Sequence, residues 1–303
     1  MIMTNRVWAY ICLLSLLFGA SFFFTQILVD HYNPLQISLM RTTIGGITLY
    51  AVCHFMGLRF PKNPRFWSSV MMLGLLNITL GASLNATAQT YLSSSIASVL
   101  NGLTPIMTIF FSFLLLRDHQ GNFAKLIAGL IGLVGLSIIA TNGKAPEDWG
   151  SLTGYAFCIA STICYALASI YGKTQVIHGY DYKIMAAGQL ISANIFLIPM
   201  AAISGDLFAF ATPNNLEIMA IIGMAILSSA IAYAIYFYIL TLTSATNLVF
   251  VTLMVPVSAI SLGTIILHET MSDLQILGTM IIGLSLIVAD GRIFLIIGRK
   301  RHP

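Results

Sequence analysis

The sequence predicts an all-α polytopic membrane protein, with ten transmembrane helices arranged as two inverted five-helix repeats and both termini cytoplasmic. Three observations carry this. The 303 residues are 58% hydrophobic and 8% charged, with a mean hydropathy of +0.90, whereas a soluble domain is about 45–50% apolar and about 25% charged. The 14 Lys and Arg and 10 Asp and Glu cannot cover a water-soluble surface of this size, so lipid must be the main solvent. Polar or Pro/Gly punctuation also divides the chain into ten apolar stretches, each close to the roughly 20 residues that cross a bilayer. Finally, the chain matches itself without gaps at a shift of 151 residues. This composition excludes disorder, nucleic-acid binding and a secreted disulfide scaffold.

The elements follow in order. The first stretch, 7–29, comes after Arg6, is about twice the length of a signal-peptide core and lacks a cleavage site, so it reads as a retained span. Stretch 34–56 carries Arg41, about 10 Å below its outer end at the helical rise. Stretch 66–91 places Asn77, Gly81, Asn85 and Gln89 every four residues on one stripe. Stretch 95–116 contains Pro105, and Ser94, Ser98, Asn101, Thr108 and Ser112 repeat at three and four around it. Stretch 124–141 holds Gly129, Gly132 and Gly135 on one face, which permits a close helix contact and leaves a homodimer open. Stretch 151–172 aligns Tyr155, Cys158, Thr162, Tyr165 and Ser169. Stretch 183–203 brings Gln189 and Asn194, and 216–240 brings Tyr233, Tyr236 and Tyr238. Stretch 245–267 offers Asn247, Ser258 and Pro256, and 274–297 closes the chain. No loop is long enough to fold into a soluble catalytic domain. Cys12, Cys53, Cys158 and Cys164 lie in apolar runs without CxxC or zinc spacing and read as small buried hydrophobes.

Basic residues in short loops set the orientation. With the N-terminus inside, Arg6, Arg59, Lys62, Arg65, Arg117, Lys125, Lys173, Lys183, Arg292, Arg299, Lys300 and Arg301 are all cytoplasmic. Only Lys144 falls in an outer loop. Asp30, Glu147, Asp148, Asp206, Glu217, Glu269 and Asp273 fall outside; Asp118, Asp181 and Asp290 fall inside. Ten spans with both ends inside give this split, which places the protein as a multi-pass inner (plasma) membrane protein. The net charge of +4 is then topology and carries no partner-binding signal.

At the 151-residue shift, Thr90, Pro105, Gly132 and the acid Asp118 fall on Thr241, Pro256, Gly283 and Glu269. The repeat unit is five spans, which divides the chain at 1–142 and 143–303. Because five is odd, the second copy enters from the opposite face. Inverted repeats of this kind are a signature of secondary transporters, with the substrate held near the midplane between the halves.

The stretch from Ala88, AQTYLSSSIASVLNGLTPIMTIFFSFLLLRDHQGNFAKLIAGLIGLVGLSII, resembles the core of an EamA-type domain of the drug/metabolite transporter superfamily. The stretch YFYILTLTSATNLVFVTLMVPVSAISLGTIILHETMSDLQILGTMIIGLSLIVADG resembles it too. The shared features are a polar helix-turn before a span, its Pro, an acid at its end and a Gly-rich span afterwards. Arg117-Asp118 and His268-Glu269 depart from the usual Glu followed by a basic residue. The resemblance covers essentially the whole chain. It implies a ten-helix secondary carrier of small metabolites, often an exporter, with spans five and ten peripheral.

Polar side chains in hydrocarbon are costly and mark pathways or helix–helix contacts. The residues expected to line a substrate cavity are Gln26, Arg41, Asn77, Asn85, Gln89, Asn101, Tyr165, Gln189, Tyr233, Tyr236 and Asn247. Pro105 and Pro256 each remove a backbone hydrogen bond at equivalent places and are expected to act as hinges. Three readings of Arg41 stand side by side: it snorkels to the outer interface, it pairs with Glu217 or Glu269, or it holds a substrate carboxylate or phosphate. No Asp or Glu lies near the middle of a span, and all six His lie at span ends or in loops, so a buried carboxylate relay has no support. A Walker A loop is absent, and neither a metal nor another cofactor is expected.

The predicted activity is that of a secondary transporter, an alternating-access carrier working as an exporter. Its substrates would be small polar or amphipathic metabolites such as amino acids or related compounds. The partners are then a small-molecule substrate and the lipid bilayer, with no nucleic acid. A passive channel or a non-transporting membrane scaffold is the alternative. An intramembrane hydrolase is disfavoured because Asp181 and Asp290 lie at span ends and do not face each other.

Overall fold

A computed structural model describes residues 4–92, 94–116, 122–141, 152–176, 179–205, 212–266 and 273–290. Among them every regular element is helical. Asp118, Glu269, His268 and the basic residues from Arg292 onward lie outside the described residues, so the paired acids of the repeat do as well.

Local chemistry sets the helix starts. The helix α1 (Asn5–Leu28) begins at Thr4, whose hydroxyl accepts a hydrogen bond from the Val7 N–H. In α2 (Pro34–Phe55) Asn33 and Gln36 form a capping box, and Pro34 stands in the first turn, where its missing N–H costs nothing. Asn63 and Pro64 repeat the device for α3 (Pro64–Leu73). That helix runs through a π-helical segment, Gly74–Ala82, into α4 (Ser83–Gln89). Next come α5 (Ser94–Asn101), α6 (Thr104–Leu116), α7 (Asn122–Thr141), α8 (Leu152–Val176) and α9 (Tyr182–Ile203). The helix α10 (Asn215–Ala225) opens on an Asn214–Glu217 capping box and passes through a second π-helical segment, Ile226–Ile231, into α11 (Ala232–Leu242). A single turn, α12 (Ala245–Leu248), precedes α13 (Val251–Ile266), and α14 (Asp273–Asp290) ends the described chain.

Five of these columns are long and apolar enough to cross a membrane: Asn5–Leu28, Pro64–Gln89, Leu152–Gln175, Tyr182–Ile203 and Asn215–Leu242. The outward faces of these and the other helices carry large apolar side chains, among them Phe23, Ile47, Phe110, Leu114, Leu152 and Ile203. Water would penalise such a belt, and hydrocarbon accepts it. The interior is tightly closed by small residues, as packing in lipid requires. A Cβ on Gly74 would stand 2.7 Å from the Gln189 carbonyl oxygen, so α9 and the Gly74 backbone are in near contact. A Cβ on Gly45 would meet the Ala225 carbonyl oxygen at 2.8 Å.

Corresponding helices of the repeat lie side by side. The helix α2 packs along α9, and α7 packs along α14. A Cβ on Gly135 would stand 2.7 Å from the Gly278 carbonyl oxygen, and the Ser285 hydroxyl donates to the Ala128 carbonyl oxygen at 2.7 Å. The small-residue face of α7 is thus filled within the chain: Gly132 and Gly135 face Leu253 and α14, and Gly129 faces Ile106. Any homodimer would have to use another surface. Cys12, Cys53, Cys158 and Cys164 are all free thiols.

The two π-helical segments fall at matching places, since Gly74–Ala82 shifted by 151 residues covers 225–233 and therefore contains Ile226–Ile231. Sequence patterning gave no sign of them. The helix breaks also differ from the expected proline bends. One falls at Gly102–Leu103, with Pro105 placed in the first turn of the helix that follows. The other falls at Val249–Phe250, with Pro256 inside a continuous α13. A proline is tolerated in the first turn of a helix, where its missing N–H has no partner to lose, which suits a break just ahead of Pro105. Pro199 stands inside α9 as well.

Candidate functional site

A cavity of about 730 Å³ of empty space, counting the open volume at its mouth, lies at the centre of the helices. It is concave and mostly apolar with a few convergent polar side chains, the make-up of a small-molecule site. Its wall is built from α1, α2, α4, α5, the start of α6, α8, α11, the Asn77 and Ala82 portion of the first π segment, and the residues around the Val249–Phe250 break. The first π segment and both helix breaks border this space, and the second π segment reaches it only through Arg41, which Ser228 and Ser229 hold. Asn77 and Ala82 belong to the first π segment, Asn101 and Thr104 flank the Gly102–Leu103 break, and Val249, Val251 and Thr252 surround the other break. Irregular backbone within hydrocarbon depth is tolerated where it faces protein or a water-filled space, and π-helical turns recur at functional sites.

The freed backbone groups are satisfied by specific side chains. The Ser161 hydroxyl donates to the Gly81 carbonyl oxygen at 2.7 Å. The Tyr165 ring lies against Gly81, where a Cβ would stand 2.7 Å from Tyr165 Cε1. In the second π segment the Ser229 hydroxyl donates five residues back to the Met224 carbonyl oxygen at 2.9 Å, and the Ser228 hydroxyl donates to the Leu17 carbonyl oxygen at 2.6 Å.

Of the residues expected from sequence, Arg41, Asn77, Asn85, Gln89, Asn101, Tyr165, Tyr233 and Tyr236 line this one cavity. Arg41 is only 8% exposed, which removes the snorkelling reading. Its Nε donates to the Ser229 hydroxyl at 3.1 Å and its Nη2 to the Ser228 carbonyl oxygen at 3.4 Å. Pairing with Glu217 is removed too. The Glu217 carboxylate is held by His31 on one oxygen and accepts the Asn214 N–H on the other at 2.8 Å. The Asn85 carbonyl oxygen accepts from Gln89 Nε2 at 3.2 Å, and the buried Gln89 Oε1 has no hydrogen-bond partner. The Asn101 side-chain oxygen accepts from the Thr104 hydroxyl at 3.3 Å.

Three expected residues lie elsewhere. Gln189 is fully buried between helices, where its Oε1 accepts from Asn77 Nδ2 at 3.4 Å and its Nε2 has no partner. Asn247 completes the single-turn helix: its N–H donates to the Ser244 hydroxyl at 3.2 Å and its Nδ2 to the Thr243 hydroxyl at 2.9 Å. Gln26 lines a separate depression with Asp30, His31, Asn214 and Glu217. Phe18, Ser21, Phe22, Thr25, Ala82, Ala86, Thr104, Val249, Val251 and Thr252 complete the central wall. Phe22 stands one helical turn after Gly19 and Val251 one turn after Asn247, but an apolar side chain among apolar neighbours carries no mark of the face it occupies.

The profile of the EamA-like transporter family matches residues 6–141 and again residues 152–289. An uncharacterized transporter of Archaeoglobus fulgidus is 24% identical over 293 residues, covering 93% of this chain and 99% of that protein. The uncharacterized inner membrane transporter YedA of Escherichia coli is 25% identical over 289 residues, covering 93% of this chain and 90% of YedA. A protein crystal structure superposes with a TM-score of 0.75 at 17% identity, covering 97% of this chain and 98% of the other, which is a likeness of fold.

Proposed function

The chain belongs to the EamA-like transporter family, and from that premise, a membrane transporter and not an enzyme, we propose an alternating-access carrier that exports small polar or amphipathic metabolites, amino acids and related compounds among them. The observation that carries this reading is the central cavity, whose wall is shared between the two matched segments. Arg41, Asn77, Asn85, Gln89 and Asn101 come from the first, and Tyr165, Tyr233, Tyr236 and Thr252 from the second. A solute bound between two halves is exposed to alternate faces when the halves rock, which a fixed pore does not require.

The reading extends to architecture. Ten spans, divided at 1–142 and 143–303 into oppositely inserted halves, leave both termini in the cytoplasm of a cell whose inner membrane holds the protein. Pro105 acts as a hinge beside the Gly102–Leu103 break, and Pro256 acts as one within α13, where its missing N–H removes a backbone hydrogen bond. The export direction rests on the resemblance noted in the sequence.

Purified full-length protein in liposomes tests the carrier directly. Vesicles preloaded with unlabelled amino acids should accumulate the labelled compound transiently and saturably. Non-saturating flux without counterflow points to a passive channel, and no flux of any tested metabolite points to a scaffold. Either result overturns the reading.

A further inference from the structure

We propose that Arg41 is the receptor for a single carboxylate on the transported solute, and that Gln89 accepts an N–H from the same molecule; this rests on the carrier reading above. An Arg guanidinium stays charged at any physiological pH and presents five N–H donors. Here two of its nitrogens are held by neutral acceptors, the Ser229 hydroxyl and the Ser228 carbonyl oxygen. Both acceptors sit on the second π segment, so the irregular backbone orients the guanidinium without neutralising it. Among the described residues no acidic side chain lines the cavity, and the two ion pairs found there, His31–Glu217 and Lys183–Asp181, leave Arg41 out. A buried cation without a counter-charge is costly. A carboxylate entering the cavity supplies that charge and can take up the unused donors in a charge-assisted, forked pair.

The remaining wall limits what the carboxylate is attached to. Among the described residues no second Lys or Arg lines the cavity, so a dianion or a phosphate ester would bring in more negative charge than the site can balance. Gln89 is 6% exposed, and its Oε1 has no partner. An orphaned buried acceptor favours a ligand that brings a donor. The Phe18, Phe22, Tyr233 and Tyr236 rings offer an apolar and aromatic surface for the rest of the solute. The geometry thus points to a monocarboxylate with an N–H group, such as an α-amino or N-acylamino acid.

The experiment compares matched probes on the full chain in liposomes: phenylalanine, its amide, phenethylamine and the dianion benzylsuccinate, each by counterflow. Expected is saturable exchange of phenylalanine, with amide, amine and benzylsuccinate slower by about tenfold or more, the scale of a lost charged hydrogen bond. Arg41→Gln should erase the preference for the acid over the amide, and Arg41→Lys should restore part of it. Thermal unfolding of each variant in detergent identifies any that fails to fold. In that event the wild-type selectivity series alone decides. Wild-type protein that carries the amide or amine as well as the acid, or an Arg41→Gln variant that keeps the preference, overturns the assignment and leaves the carrier reading intact. Absence of saturable exchange for every probe and for the wider amino-acid pool overturns both.

Discussion

Polar atoms buried without partners divide into two kinds, and the division is chemical. Gln89 Oε1 belongs to a side chain on the cavity wall, and a solute or water can reach its neighbours. Gln189 Nε2 is enclosed between α9 and the first π segment and serves packing. Replacing Gln89 or Asn101 by Leu should lower flux by about tenfold or more, because a cavity contact is lost and the wall becomes apolar. Expression should stay intact. Gln189→Leu should leave flux near wild type and change stability by about 1 kcal/mol, since Asn77 loses one hydrogen bond but still faces the cavity. Counterflow and thermal unfolding on the three proteins check this, and equal flux loss in all three would remove the distinction. The eight cavity residues that sequence identified were legible because an amide, a phenol or a guanidinium in an apolar run has few cheap explanations. Gln189 and Asn247 looked the same in sequence for the same reason. Their role as glue or turn support depends on which neighbour they face, and only three-dimensional packing supplies that.

Among elements, the glycines of α7 and α14 show how unequal two repeats become. Gly132 and Gly283 correspond at the 151-residue shift, yet a Cβ on Gly132 would stand 2.7 Å from Leu253 Cδ1 while Gly283 has open space. A helical glycine in open space only weakens its helix, so Gly283→Ala should stabilise the protein by about 0.5–1 kcal/mol. Gly135→Ala places a methyl group 2.7 Å from the Gly278 carbonyl oxygen, and backbone cannot yield as a side chain does. It should destabilise by about 1–3 kcal/mol by forcing α7 and α14 apart. Opposite shifts in the unfolding midpoint confirm the pair of expectations, and a destabilised Gly283→Ala would contradict them. Helix existence was legible from apolar length and capping residues such as Asn33, Asn63 and Asn214. The π segments were not. Their cause is a backbone register fixed by partners distant in sequence, Ser161 on Gly81 and Arg41 on Ser228, and not a pattern within residues 74–82 or 226–231. Pro105 did mark a discontinuity, but the chain breaks at Gly102–Leu103, so the proline opens the following helix and does not bend a continuous one.

For the whole molecule, charge placement is the feature that sequence states most directly, because it depends on the order of residues and not on packing. The proposed orientation puts Arg59, Lys62 and Arg65 in the cytoplasm, and Asp30 and His31 on the outer side. The described structure keeps Asp30 and Lys62 exposed at the two ends of α2 and its neighbours, so both positions accept a probe without disturbing a contact. In a background lacking Cys12, Cys53, Cys158 and Cys164, Asp30→Cys should react with a membrane-impermeant maleimide added to intact cells. Lys62→Cys should react only after the membrane is permeabilised. A second consequence separates orientation from the repeat itself. If the basic residues set the topology, moving three of them from the 56–65 loop to the 29–33 loop should populate the inverted orientation and reverse the labelling of both cysteines in part of the protein. Unchanged labelling would mean that the later spans, with Lys173, Lys183 and the basic C-terminal segment, dominate insertion. Labelling of Lys62→Cys in intact wild-type cells would reject the proposed orientation outright.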